Sequence, residues 1–483
     1  MASNQKLVCF SDILLTEPQL SNKMARAEIH LTRHNGAVSA FPLMLRYEQP
    51  LNECHLPLLR LAFMMPLLNY GLFSQQFTLQ FPLSEADVSL LNDLNVVFSR
   101  DIFVNKILRR RAHYILPEFL PDENNVQPGD AEPKAVIKPS DIVPDTILSD
   151  TAEDMKCGIL SSGGKESLAT YGLLKELGCE VHPLYINESG GHWHTALPAY
   201  RYHDAVDPHT SRVWTNIDRF YTFMLDHLAF IRPDHKKIRA DTYPIRLCIF
   251  PYYVFALLPI FVERRIGNLF IGSEFDDLRE PPLYHGIPHY FGIYDQHQDF
   301  DNRMQRWYAL RMPSIRQWSA MRNVSGLIVE RILLSRYPHL AKHQRSCHSC
   351  HFEQKEIVPC GSCSKCLGIL LFLLANDADP TLMNYKKEHI DSFANNITPS
   401  SLRLDQDEKD QSFFLLKNKS PIPNVRCVDH VEKIHLDPRT CDITMIPPHL
   451  RERLLGILEQ YTTGYTKLEG EQWASVKHAS AEY

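Results

Sequence analysis

Apolar positions along the chain switch between short runs of period two and longer runs of period near 3.6, and the switches divide it into regions. Residues 26–32 alternate, 41–47 and 77–81 are β-compatible, and 56–68 is apolar at helical spacing, so residues 1–120 are expected to form a small α+β domain. Periodicity then lapses. Pro128, Pro133, Pro139 and Pro144 stand among acidic and small polar residues, and 121–150 reads as a linker with little to bury. A new pattern follows at 157–160, a short apolar run, with Leu168, Leu173, Leu174 and Leu177 at helical spacing up to Gly178 and a second strand at 180–186. Strand, loop, helix and strand in that order predict a βαβ unit and a parallel sheet. Further strands are expected at 212–217 and 268–274, with helices near 220–230, 247–262, 327–340, stopped near Pro338, and 367–375. Residues 151–380 thus read as an α/β domain. The remainder, 381–483, reads as a C-terminal extension with a strand at 411–416 and a helix at 448–461.

The chemistry of the 161–167 loop follows from its residues. Gly163 and Gly164 admit close approach of a ligand to the backbone, Ser161, Ser162 and Ser167 carry hydroxyls, Lys165 carries a point charge, and the helix that begins here aims unpaired N–H groups forward. Phosphate fits best. The spacing is neither that of a Walker A loop nor the three spaced glycines of a dinucleotide fingerprint. Beyond later strand ends, Arg246 is a candidate contact for a phosphate or a substrate carboxylate. Gly272 closes a strand, and Asp276 and Asp277 after it are tentative magnesium ligands. His192 and His194 border the same region and read mainly as ordinary hydrogen-bonding residues.

Composition narrows the class. With 483 residues, 44% hydrophobic and 22% charged, the chain is expected to be a soluble globular protein of two or three domains. A net charge of −6 argues against a general polyanion binder. Accordingly, the basic run Lys106, Arg109, Arg110 and Arg111 reads as a solvated helix face. Arg303, Arg306, Arg311, Arg316 and Arg322, interleaved with Trp307, Tyr308 and Trp318, read as a salt-bridged helix ahead of a single-stranded nucleic-acid platform. No secretory signal is visible, and the apolar stretch 247–262 contains Pro251 and Pro259 and is shorter than the roughly 20 residues of a membrane span, so a cytoplasmic location without a membrane contact is expected. Twelve cysteines fit a reducing compartment, and five of them crowd between 347 and 366. Cys347 with Cys360, Cys363 and Cys366 makes a closed, all-sulfur, tetrahedral zinc site of structural type, with Cys350, His348 and His351 as alternates.

Two of these motifs carry a family resemblance. Ser162-Gly163-Gly164-Lys165-Glu166-Ser167 resembles the pyrophosphate loop, Ser-Gly-Gly-x-Asp-Ser, of the ATP pyrophosphatases, with Glu166 in the place of aspartate. Together with Arg345-Ser346-Cys347 and the Cys-x-x-Cys-x-x-Cys run, residues 150–380 resemble 7-cyano-7-deazaguanine synthase. Pro244 and Arg246 fall in its Pro-x-Arg-Asn segment, Leu247 replaces the asparagine, and Gly272 with Asp276 follow the corresponding strand. The resemblance implies a doubly wound parallel sheet of the adenine nucleotide alpha hydrolase type with a zinc knot, the α+β region being an addition. It further implies ATP bound at Ser161–Ser167 and Gly272 with magnesium, and catalytic roles for Lys165, Glu166 and Arg246. The implied reaction is adenylation of a carboxylate, 7-carboxy-7-deazaguanine or a related deazapurine, and then amide or nitrile formation with ammonia or an amine, a protein or peptide amine included. Larger proteins similar to this one accompany bacterial anti-phage operons, which suggests operon partner proteins and a homodimer. The competing expectations are a tRNA base-modifying enzyme that thiolates or aminates, and a nucleotide sensor without turnover.

Overall fold

The computed structural model describes residues 6–109, 113–238, 244–276, 281–396, 402–416 and 425–477. Strands from both halves of the chain join one sheet of eleven strands. The first half supplies β1 (Phe10–Leu15), β2 (Gln19–Ser21), β3 (Met24–Arg33), β4 (Val38–Arg46) and β5 (Gln76–Leu79), and after β6 (Leu83–Ser84) it supplies β7 (Val136–Lys138). The second half, past the short β8 (Ile142–Val143), adds β9 (Glu153–Leu160), β10 (Glu180–Asn187), β11 (Ser211–Thr215) and β12 (Ile266–Ile271). The hairpin β13 (Leu283–Tyr284) and β14 (Ile287–Pro288) precedes the last of the eleven, β15 (Arg316–Trp318).

The sheet order is β15-β12-β9-β10-β11-β4-β3-β1-β5-β7, with β2 on β3. The five strands from β15 to β11 are all parallel. The first of them in the chain, β9, lies in the middle, and the strand order runs one way through β10 and β11 and the other through β12 and β15. A crevice therefore opens between the carboxyl ends of β9 and β12, the place where such sheets take ligands. β12 is buried at all six positions, as a strand covered on both faces must be. Leu269 and Ile271 join one apolar core, Phe270 the other, as alternation of side chains across a sheet requires.

The first half is not set apart from this sheet. β4 pairs antiparallel with β11 and closes what would be its open edge, and residues 7–137 share one core with α5 (Ile217–His227) and α6 (Phe250–Arg264), helices of the second half. Four helices precede α5: α1 (Leu56–Met64), α2 (Glu85–Ile102), α3 (Lys165–Glu176) and α4 (Gly191–Val206). The stretch 121–150, read as a linker, also packs. β7 pairs with β5, β8 pairs with β6, and Asp145 accepts the Ala86 N–H at 2.9 Å. Its backbone groups find partners in distant segments, which no local composition reveals.

After α6 the chain forms α7 (Gln298–Arg311), α8 (Gly326–Arg336) and the short α9 (Pro338–Ala341); the helix expected over 327–340 stops just before Pro338, as expected, and a separate turn carries the chain on. The basic and aromatic segment is salt-bridged, but only its first half is helix: α7 ends at Arg311 and Arg316–Trp318 is β15; Arg303 meets Asp93 at 2.7 Å, Arg322 meets Asp301 at 2.6 Å, and Trp307, Tyr308 and Trp318 are buried and offer no ring to a base. α10 (Ser364–Ala375) and α11 (Lys387–Asn396) follow. The strand expected at 411–416 is instead the second half of α12 (Gln406–Leu416), whose first turn carries Asp407 and Glu408 where the helix dipole favours them. α13 (Pro448–Glu459) matches its expectation. Among the described residues no helix is long and apolar enough to cross a membrane.

Candidate functional site

The loop leaves β9 at Leu160 and enters α3 at Lys165. Gly163 has φ +72°, and a Cβ there would lie 3.1 Å from the Ala199 Cβ and 3.3 Å from the Ala196 Cα, so α4 leaves it neither room nor a favourable conformation for a side chain. The Gly163 carbonyl accepts the Arg345 N–H at 3.4 Å, and the Ser167 hydroxyl donates to the Gly164 carbonyl at 3.1 Å. Ser162 is exposed to the crevice, and Ser161 is buried beneath it. Gly272 lies just past β12, where a Cβ would stand 2.8 Å from the Glu166 Cβ; glycine lets the end of β12 touch the first turn of α3. Gly272→Ala should therefore cost about 1–3 kcal/mol through forced separation of the two, read by chemical denaturation.

In front of the loop is a cavity of about 670 Å³. It brings together Ser162, Lys165, Glu166, Arg246, Gly272 and Asp276, residues that the sequence offers as separate candidates. Cys347 and His348 line it as well. Asp277, Arg110, Arg111 and the side chain of His192 lie outside the described residues. His194 meets the Phe352 ring edge-on at 5.1 Å.

The charges in the cavity are paired in ways the sequence does not show. The Lys165 ammonium contacts the Glu166 carboxylate and lies 2.7 Å from Glu274. Burial alone would favour neutral Lys165, but the two carboxylates outweigh it and hold the ammonium protonated. Glu166 is likewise opposed by burial yet stays ionised, through Lys165 and through its own backbone N–H at the helix start. One lysine does not satisfy two carboxylates, and burial together with Glu166 pushes Glu274 well up. Arg246 faces carboxylates too, 3.8 Å from Glu188 and 3.5 Å from Asp218, and its guanidinium lies 4.9 Å from the Tyr221 ring.

Several functional residues come from segments that carry no motif. Lys106, expected on a solvated face of the basic run, is instead 5% exposed and reaches the cavity from the π-helical turn Phe103–Leu108, a kind of turn frequent at functional sites. Arg403 lines it from the C-terminal extension, and Glu408, beside Lys165 and Asp276, accepts the Leu327 N–H at 3.0 Å. Burial pushes Glu408 and Glu330 up to about 7 and Asp276 to about 6. For such groups the folded state binds a proton that the unfolded state has released, so stability is present at low pH and lost as pH rises through the raised values. His203 and His343, both pushed down to about 4 by burial, act in the opposite sense below their ordinary range. The raised carboxyls outweigh the histidines, so the thermal midpoint should fall by several degrees between about pH 5 and about pH 7, the fall shrinking in Glu330→Gln/Glu408→Gln.

The thiols of Cys347, Cys360, Cys363 and Cys366 lie within 4.8 Å of one another, positioned to hold one metal ion; Cys350 is not in this group. Cys347 accepts the Ser349 and Cys360 N–H groups at 3.2 and 3.3 Å, Cys363 accepts those of His348 and Cys366, and such bonds favour thiolates over thiols. An all-sulfur closed set suits zinc. Cys363 also caps α10, and the hairpin of β16 (His351–Glu353) and β17 (Glu356–Val358) bridges the gap between Cys347 and Cys360. Two other groupings have ligand-like residues without ligand chemistry. His55 accepts the Asn52 N–H on Nδ1, which leaves its proton on Nε2 facing Glu263, and His182 has Arg264 on Nδ1 and Glu180 on Nε2.

No protein-family model, curated protein or solved structure matches the chain.

Proposed function

We propose that the chain is an ATP pyrophosphatase-type ligase: it adenylates a carboxylate, a deazapurine such as 7-carboxy-7-deazaguanine, and passes the acyl group to ammonia or an amine. The observation that carries this reading is the glycine and serine loop at the point where the strand order reverses, facing a cavity shared with the four-thiol knot. Helices on both faces of the parallel strands would make the sheet doubly wound, the architecture of the adenine nucleotide alpha hydrolases.

The substrate carboxylate attacks the α-phosphorus of ATP, the bond to the β-phosphate breaks, and the backbone N–H groups of 162–165 together with the Ser162 hydroxyl, whose oxygen accepts the Gly164 N–H, hold the departing pyrophosphate. Lys165 orders the loop by its bonds to Glu166 and Glu274. Glu274 and Asp276 would hold magnesium, and the excess of buried carboxyls over Lys165 fits a divalent cation. That ion, when bound, spreads the charge of the pyrophosphate. Zinc in the thiol knot has a structural part. The Arg345 N–H on the Gly163 carbonyl carries its order to the loop.

Pyrophosphate release from ATP, assayed with and without 7-carboxy-7-deazaguanine and with mass spectrometry of products, tests the assignment. Release that requires the deazapurine and falls at least about 100-fold in Ser162→Ala supports it. No release with that carboxylate, from protein that binds ATP, removes the deazapurine.

A further inference from the structure

Glu188 lines the cavity away from the loop, and a second carboxyl, that of Asp218, shares Arg246 with it. Glu188 follows the end of β10, and Asp218 stands in the first turn of α5 after the end of β11, so neighbouring parallel strands deliver them side by side. Their closeness is built into the backbone: a Cβ at Gly190 would fall 1.5 Å from the Asp218 Oδ2, so glycine makes the space that carboxylate fills. Arg246 is the guanidinium between them, held by the face of Tyr221. Glu188 is 5% exposed, and among the described residues its buried Oε2 has no hydrogen-bond partner, Arg246 standing off at 3.8 Å. A buried carboxyl oxygen without a donor, in a cavity, asks for one from a ligand. With Glu188 ionised, two carboxylates face one guanidinium, and a positive donor balances them.

We propose that Glu188 and Asp218 form the acceptor site, that they select an amine, and that Glu188 is the base for its attack. The assignment rests on the adenylation reading. An ammonium enters against the pair and gives a proton to Glu188, and the neutral nitrogen attacks the acyl carbon of the adenylate. The C–N bond forms, the C–O bond to phosphate breaks, AMP leaves with the electron pair, and the second proton leaves the nitrogen to solvent. Alcohols and thiols bring no positive charge to the pair and are poor acceptors. Burial, opposed by Arg246 and reinforced by Asp218, pushes Glu188 up to about 8, while Tyr221 and Tyr252, which also face it, are held neutral by burial. A base of that strength titrates where an enzyme needs it.

The test uses the full-length protein with 7-carboxy-7-deazaguanine and ammonium chloride, and separates the half-reactions. Glu188→Gln is expected to keep ATP–pyrophosphate exchange within about threefold of wild type while amide formation falls at least about 100-fold. Hydroxylamine, uncharged at neutral pH, should still capture the adenylate in this variant. The limb near about pH 8 in wild-type amide formation should be missing from it. Asp218→Asn, at a partly exposed position, should raise the KM for ammonium about tenfold with kcat little changed, and it carries the test if Glu188→Gln does not fold. Wild-type amide formation in Glu188→Gln, or loss of exchange and amide formation together in folded protein, overturns the acceptor assignment. Absence of exchange in wild type removes the adenylation of this carboxylate and the acceptor assignment with it.

Discussion

Cys363→Ser should release the metal, lower the thermal midpoint by more than about 10 °C and abolish measurable ATP binding, because one side chain serves three structures. Its sulfur is one of four ligand atoms within 4.8 Å, it accepts the Cys366 N–H as the cap of α10, and it accepts the His348 N–H from the segment beside the loop. α10 presents Lys365, Gly368 and Phe372 to the cavity, and Arg345 ties the knot to Gly163. Loss of the ion thus loosens two walls of the site. Cys350→Ser is the control, since Cys350 lies outside the group of four, and it should keep full metal content and a wild-type melting curve. Atomic emission and calorimetry on both variants decide the matter. A Cys363→Ser protein that melts like wild type would show that the knot bears no load.

The second large effect is expected at Lys165. Lys165→Met leaves Glu166 and Glu274 without their shared counter-charge; with side chains still 22% and 26% exposed, the cost should be about 2–3 kcal/mol, below that of a fully buried pair. The sign with pH follows. Without the ammonium, both carboxyls titrate above their unfolded values, so the deficit is greatest above about pH 7 and shrinks toward about pH 5 as they protonate. Adding Glu274→Gln should recover more than half of the loss, and a double-mutant cycle by denaturant titration would show the coupling. Additive costs would mean that the short contacts around Lys165 carry no interaction energy.

What the sequence reveals of this site is what lies close together in the chain. The loop is legible because its glycines, its hydroxyls and the strand and helix around it occupy one stretch, and the thiols because metal-ligand spacing is itself a local signal. The strands between Phe10 and Lys138 join the sheet through pairing of β4 with β11, about 170 residues apart in the Met44–Asn216 bond, and neither partner announces the other. Lys106, Glu188, Arg403 and Glu408 converge from three distant segments, none of which carries a spacing that points to the others. The helix at Gln406–Leu416 shows the other limit: six residues ending in Phe-Phe-Leu-Leu suit either a strand or a buried helix face, and packing decides.

The central claim is that the loop holds pyrophosphate while ATP is cleaved between its α- and β-phosphates. Chromatography of products from ATP labelled at the α-phosphate, incubated with the full-length protein, magnesium and 7-carboxy-7-deazaguanine, tests it most directly. The account predicts label in AMP or in an AMP ester, with pyrophosphate in equal amount and at least about 100-fold less of both from Ser162→Ala. Label recovered in ADP, with orthophosphate beside it, would contradict it.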